Sequence, residues 1–167
     1  MTTHGATTNQ TSALTGRLAG ALSVHGFEAR DIGPTLDPVK IAGAWVRKTW
    51  NTNRAVVHLC APPGEGDLGQ LVQGIKIPMG KTLGYFPFFY GLGLQVVLSG
   101  EAILDRAAHL ARSVDAIDNQ RCIVQSIFVV DLSQGRYRQA RTWGQVVTGK
   151  FQDAIAGCLD ETFVGVP

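Results

Sequence analysis

The chain has 167 residues, 45% hydrophobic and 17% charged, with a formal net charge of +2. That length implies one domain with a self-sufficient core, and so balanced a charge argues against nucleic acid or an anionic membrane as partner. Three widely spaced cysteines (Cys60, Cys122 and Cys158) form no CxxC pair, which excludes a disulfide framework and points to a reducing, cytoplasmic setting.

The first twelve residues, MTTHGATTNQTS, are polar and lack the basic and apolar regions of a secretory signal. They read as a disordered tail, with a single α+β domain over 13–167. Leu14, Leu18, Ala21 and Leu22 recur at helical spacing and predict a helix over 12–25. Thr11 or Ser12 can cap its start and Gly26 can end it. AWVRKTW and RAVVHLC, joined by Asn51-Thr52-Asn53, then predict a β-hairpin.

Pro62 to Gly93 holds eight glycines and four prolines and reads mostly as loop, with a short helix at 67–73. No Asp, Glu, Lys or Arg occurs from Thr82 to Gly100. That run is long enough to span a bilayer, but Pro87, four glycines and Gln95 make it a poor spanning helix, so no membrane role is expected. Leu92 to Leu98 is a third strand. Ser99-Gly100-Glu101 opens a helix whose stripe is Ile103, Ala107, Leu110, Val114 and Ile117.

CIVQSIFVVD at 122–131 is apolar on both faces and predicts a central strand, turning through Asp131-Leu132-Ser133-Gln134-Gly135 into a partner at 136–143. A helix over 147–160 closes the chain. The order is α-β-β-(long loop)-β-α-β-β-α, an α+β fold with a mostly antiparallel sheet of about five strands and three packed helices. This order resembles that of the type III secretion chaperone fold. The resemblance rests on element order with no motif matched, and it implies architecture only.

Candidate chemistry is sparse. Gly80-Lys81-Thr82 lacks the earlier glycine and the strand–helix context of a phosphate loop, and GEGDLG at 64–69 lacks dinucleotide spacing. No residue set reaches the donor count of a metal site, and no cofactor is expected. His58 and Cys60 share a strand face and, with Asp131, could serve a small hydrolase or transferase. Arg136, Arg138 and Arg141, interleaved with Tyr137 and Trp143, offer a nucleic-acid alternative, although edge protection explains the same charges.

The leading expectation is a non-enzymatic binding module, assembled as a homodimer. Its recognition surface would be the 62–93 segment, with Tyr85, Phe86, Phe88, Phe89, Tyr90 and Gln95 contacting an apolar or aromatic small molecule or a protein partner. Adjacent rings at 88–90 cannot all point to one face of a strand, so some are left over for a ligand or a subunit.

Overall fold

The computed structural model describes residues 3–32, 40–49, 53–64, 66–83, 92–110, 114, 122–142 and 145–167. Its elements are helix α1 (Thr3–Ser23), strands β1 (Glu28–Ala29), β2 (Lys40–Lys48) and β3 (Asn53–Cys60), helix α2 (Leu68–Leu83), strands β4 (Leu92–Gly100), β5 (Cys122–Asp131) and β6 (Arg136–Thr142), helix α3 (Gln145–Asp160) and strand β7 (Val164–Gly165).

The strands form one seven-stranded sheet in sequential order. β1/β2, β2/β3 and β5/β6 pair antiparallel, whereas β3/β4, β4/β5 and β6/β7 pair parallel. The sheet is therefore mixed, with a parallel centre, and not mostly antiparallel. The reason is the connection. The stretch that reads as loop holds α2, and a helix between two strands returns the chain to the same end of the sheet, which makes the strands parallel.

α2 forms against local preference. It contains Pro78 and three further glycines, and an interior proline costs about 3 kcal/mol. What offsets this is a stripe at helical spacing, Leu68, Val72, Ile75, Met79 and Leu83, all buried against Val57, Val96 and Val129 in one core cluster. Asp67 caps its start, accepting from Gly69 N at 2.8 Å. At its far end Asn53 Nδ2 donates to the Leu83 carbonyl at 3.0 Å.

The opposite face of the sheet is covered by α1 and α3. Leu14, Leu18 and Leu22 of α1 meet Phe151, Ile155 and Leu159 of α3 over Val56, Val97 and Phe128. α1 ends where the sequence predicts, with Gly26 at φ 75° and Phe27 N bonded to the Leu22 carbonyl. Its start lies nine residues earlier than the leucine stripe suggests, at Thr3. Threonine is a mediocre helix former, but here the early turns are held by the fold: the Thr7 hydroxyl donates to Glu101 on the β4 exit.

The predicted helix over 101–117 takes a different form. Ile103, Ala107, Leu110 and Val114 are buried as a stripe on the α2 face, yet the described backbone there is a turn and a 3₁₀ helix at Asp105–Ala107. Ala102 at φ 48° breaks the entry. Asp131 closes it from the neighbouring strand β5, accepting from Ile103 N at 3.0 Å. Among the described residues no helix is long and apolar enough to cross a membrane.

Candidate functional site

The three parallel strands bring their carboxyl ends to one edge, the usual place for a ligand crevice in sheets of this kind. Register places His58 beside Val97 and Cys60 beside Ser99. Val97 belongs to the core under α1, so His58 and Ser99 share that face. Ser99 lies diagonally across from His58, and their side chains meet: His58 Nε2 is 2.8 Å from Ser99 Oγ.

The other ring nitrogen meets α1. His58 Nδ1 is 2.9 Å from Thr15 Oγ1, and Thr15 Oγ1 donates to the Thr11 carbonyl at 2.8 Å. A threonine hydroxyl has one proton. Spending it on Thr11 leaves the oxygen as acceptor, so His58 Nδ1 carries the hydrogen and Nε2 is bare. Ser99 therefore donates its proton to His58. Burial pushes the imidazole down to about 4, which keeps it neutral at neutral pH.

Gly43 makes the contact with α1 possible. It stands opposite His58 in register. A Cβ on it would lie 2.6 Å from the Trp45 ring and 3.0 Å from Thr15 Cγ2, so a larger residue would displace the indole and crowd the threonine.

Ser99 forms part of the floor of a cleft of about 420 Å³, walled by Thr7, Thr8 and Thr11 of α1, by Cys60 to Gly64 after β3, and by Glu101, Ala102 and Arg106 after β4. A second hollow of about 580 Å³ adjoins it along Thr7, Thr8, Thr11 and Cys60 to Pro63. Arg106 braces the rim by donating to the Pro62 and Gly66 carbonyls at 3.2 and 2.9 Å. Ala102, in the left-handed region just after Ser99, is strained backbone at the mouth.

The three residues singled out for hydrolytic chemistry have different described surroundings. His58 bonds to Ser99 and Thr15, while Cys60 lines the cleft. Asp131 serves its own turn, accepting from Ser133 N, Ser133 Oγ and Gln134 N at 3.0, 2.6 and 3.0 Å. Burial alone would raise its pKa, but the Ser133 hydroxyl and three backbone N–H groups outweigh that and hold the carboxyl below its usual range. Asp131 is fully committed to holding β5's exit.

Of the expected recognition residues, Tyr85, Phe86, Phe88, Phe89 and Tyr90 lie outside the described residues. Gln95 is described and is buried on β4, with its Oε1 unpartnered among the described residues. On β6, Arg136 is exposed and Arg138 half-buried, while Tyr137 is buried and donates to Asp160 at 2.7 Å. β7 pairs with the start of β6, at Arg136 and Tyr137, so that strand is a free edge only beyond them. Gly80-Lys81-Thr82 falls in the last turn of α2. Among the described residues no group of three His, Cys, Asp or Glu could hold a metal.

Sequence reasoning missed Ser99 and Thr15. Ser99 reads as a helix opener and Thr15 as the outside of a leucine stripe. Comparison with protein-family models, with curated proteins and with solved structures finds no match to this chain.

Proposed function

We propose that the chain is a small serine-dependent hydrolase or acyl transferase. Ser99 Oγ would attack a carbonyl carbon held in the cleft while His58 Nε2 takes its proton. The same nitrogen then returns that proton to the leaving oxygen or sulfur, and water or a second acceptor removes the acyl group by the reverse route. Thr15 is a positioning residue that fixes the tautomer through Nδ1. The observation that carries the reading is the continuous Thr15–His58–Ser99 chain, at 2.9 and 2.8 Å, ending at the floor of a cleft. Nucleophile, base and orienting group are all within hydrogen-bond reach.

The cleft, about 420 Å³ and lined by threonine hydroxyls, two prolines, Glu101 and Arg106, favours a small acyl group. The test is labelling by a fluorophosphonate, followed by peptide mass mapping. Modification at Ser99, absent in Ser99→Ala and His58→Gln variants that melt as folded proteins, supports the reading. An unmodified Ser99 with full recovery of the probe makes the chain of hydrogen bonds a brace between α1 and the sheet. Fast alkylation of Cys60 at neutral pH in place of Ser99 labelling would move the nucleophile to the thiol.

We also infer a second role from the aromatic segment. Five aromatic residues within positions 85–90 directly precede β4, and such a cluster favours recognition of an apolar or aromatic partner, or a second copy of the chain. Sedimentation of a Phe88→Ala/Phe89→Ala double variant checks it: loss of a dimer with an unchanged melting point supports the reading, and unchanged assembly refutes it.

A further inference from the structure

At the amino ends of the same strands, the α1 and α3 face of the sheet gathers cations and unsatisfied polar atoms. Arg47, Arg54 and Gly93 stand side by side in register across β2, β3 and β4. The Gln125 amide lies over Gly93, close enough that a Cβ there would be 2.7 Å from Gln125 Oε1. One rung inward Gln95 pairs with Ser126. Gln95 Oε1, Gln125 Oε1 and Ser126 Oγ are buried and without a hydrogen-bond partner among the described residues. The three residues are 1%, 8% and 0% exposed.

Over this patch sits Phe151 of α3. Arg47 Cζ, Arg54 Cζ and Lys150 Nζ lie 5.2, 5.5 and 5.1 Å from its ring centroid. Arg54 is only 9% exposed. Among the described residues neither arginine has an acidic partner. Burial and then the neighbouring Arg47 lower the Arg54 pKa, the direction expected of crowded cations.

An aromatic face stabilises a cation by roughly 0.5–2 kcal/mol. That is small against the cost of holding a mostly buried guanidinium beside a second positive charge. The neighbouring amides add to the imbalance. A half-turn of either glutamine exchanges its oxygen for an NH₂ group, so Gln125 and Gln95 can present donors, as can the Ser126 hydroxyl. The arrangement lacks one thing: a compact group with several acceptor oxygens and more than one negative charge.

We propose that this end of the sheet binds the phosphate group of a small phosphorylated molecule, held by Arg47, Arg54 and Lys150, with Gln125 and Ser126 donating beneath. Three cations exceed what a single carboxylate would neutralise. Arg54 is too recessed for the backbone of a nucleic-acid strand to reach along its length. The site is remote in register from Ser99 and uses none of the residues of the serine reading.

The experiment is calorimetric titration and thermal melting of the whole chain with inorganic phosphate and then AMP, against chloride at matched ionic strength. Phosphate at saturation raises the melting temperature by about 2–4 °C. Arg54→Met abolishes that rise, and Lys150→Met, on an exposed side chain that the fold does not need, weakens the phosphate Kd about threefold. Ser99→Ala and His58→Gln keep the full response. Should Arg54→Met fail to fold, Lys150→Met and Arg47→Met carry the test. No rise above chloride, or a rise that survives in all three cation variants, overturns the proposal. So does tight, salt-sensitive binding of a single-stranded oligonucleotide in the absence of any response to phosphate or AMP.

Discussion

The two ends of the parallel strands differ in how the polar side chains on the α1 and α3 face are partnered. At the carboxyl ends, Thr15, His58 and Ser99 complete one another's hydrogen bonds. At the amino ends, Gln95, Gln125 and Ser126 keep orphaned atoms beneath clustered cations. Between them the same face is plain core, Val56, Val97 and Phe128. A satisfied network is rigid and holds chemistry in register; an unsatisfied one is raised in energy and is relieved by what it binds. The contrast suggests one end built to position atoms and the other to receive charge.

The largest test of this contrast is Ser99→Ala. Ester hydrolysis should fall about 10³-fold, and stability by about 1–2 kcal/mol because the imidazole nitrogen is left buried without its donor. Any activity that persists at the wild-type rate breaks the first half of the comparison.

Acid stability comes next. His58 is depressed to about 4 in the folded chain, against 6.5 when exposed. The unfolded chain therefore binds the proton first. The contribution of neutral His58 is complete above pH 6.5 and is lost as pH falls toward 4, by about 3 kcal/mol at full extent. Denaturant midpoints measured from pH 7 to 4 should drop accordingly, and a folded His58→Gln variant should flatten that drop.

Gly93→Ala probes the other end. Its new methyl would displace the Gln125 amide, the flexible end of that side chain, so phosphate binding should be lost with a stability change of at most about 1 kcal/mol, while Ser99 labelling persists. The smallest functional effect is that of Thr15→Val, which costs about 1–2 kcal/mol, since His58 Nδ1 loses its acceptor. Here kcat should fall with KM unchanged, and Thr15→Ser should restore it. A fall in KM alone would remove Thr15 from the positioning role.

Much of the scaffold was legible before any coordinates. The hairpin of β2 and β3, the β5–β6 turn and α3 follow from alternation, Asn- and Gly-bearing turns and helical spacing. The parallel centre was not, because strand direction depends on what lies between strands, and α2 is written in glycine and proline. Its stripe Leu68, Val72, Ile75, Met79 and Leu83 was present but diluted. The stripe from Ile103 to Val114 shows the converse: burial was legible, while Ala102 and the Asp131 cap gave it a non-helical entry. Of the candidate site only His58 and Cys60 could be singled out. Ser99 lies 41 residues from His58, and no local pattern announces that a two-residue diagonal across two parallel strands will join them. The aromatic segment, the loudest signal in the sequence, falls outside the described residues.

One property of α1 bears on how Ser99, only 1% exposed, could meet anything. The inward side of that helix changes character along its length, from Thr7, Thr8 and Thr11 over the cleft to Leu14, Leu18 and Leu22 over the core. Unwinding the turns that carry Thr7, Thr8 and Thr11 would release polar side chains, whereas unwinding the rest would strip leucines from α3. Fraying from the amino terminus is thus the cheap motion, and it uncovers the serine while leaving the hydrophobic grip intact. Amide exchange that is fast through residue 12 and slow from Leu14 onward would record that division of labour within a single helix.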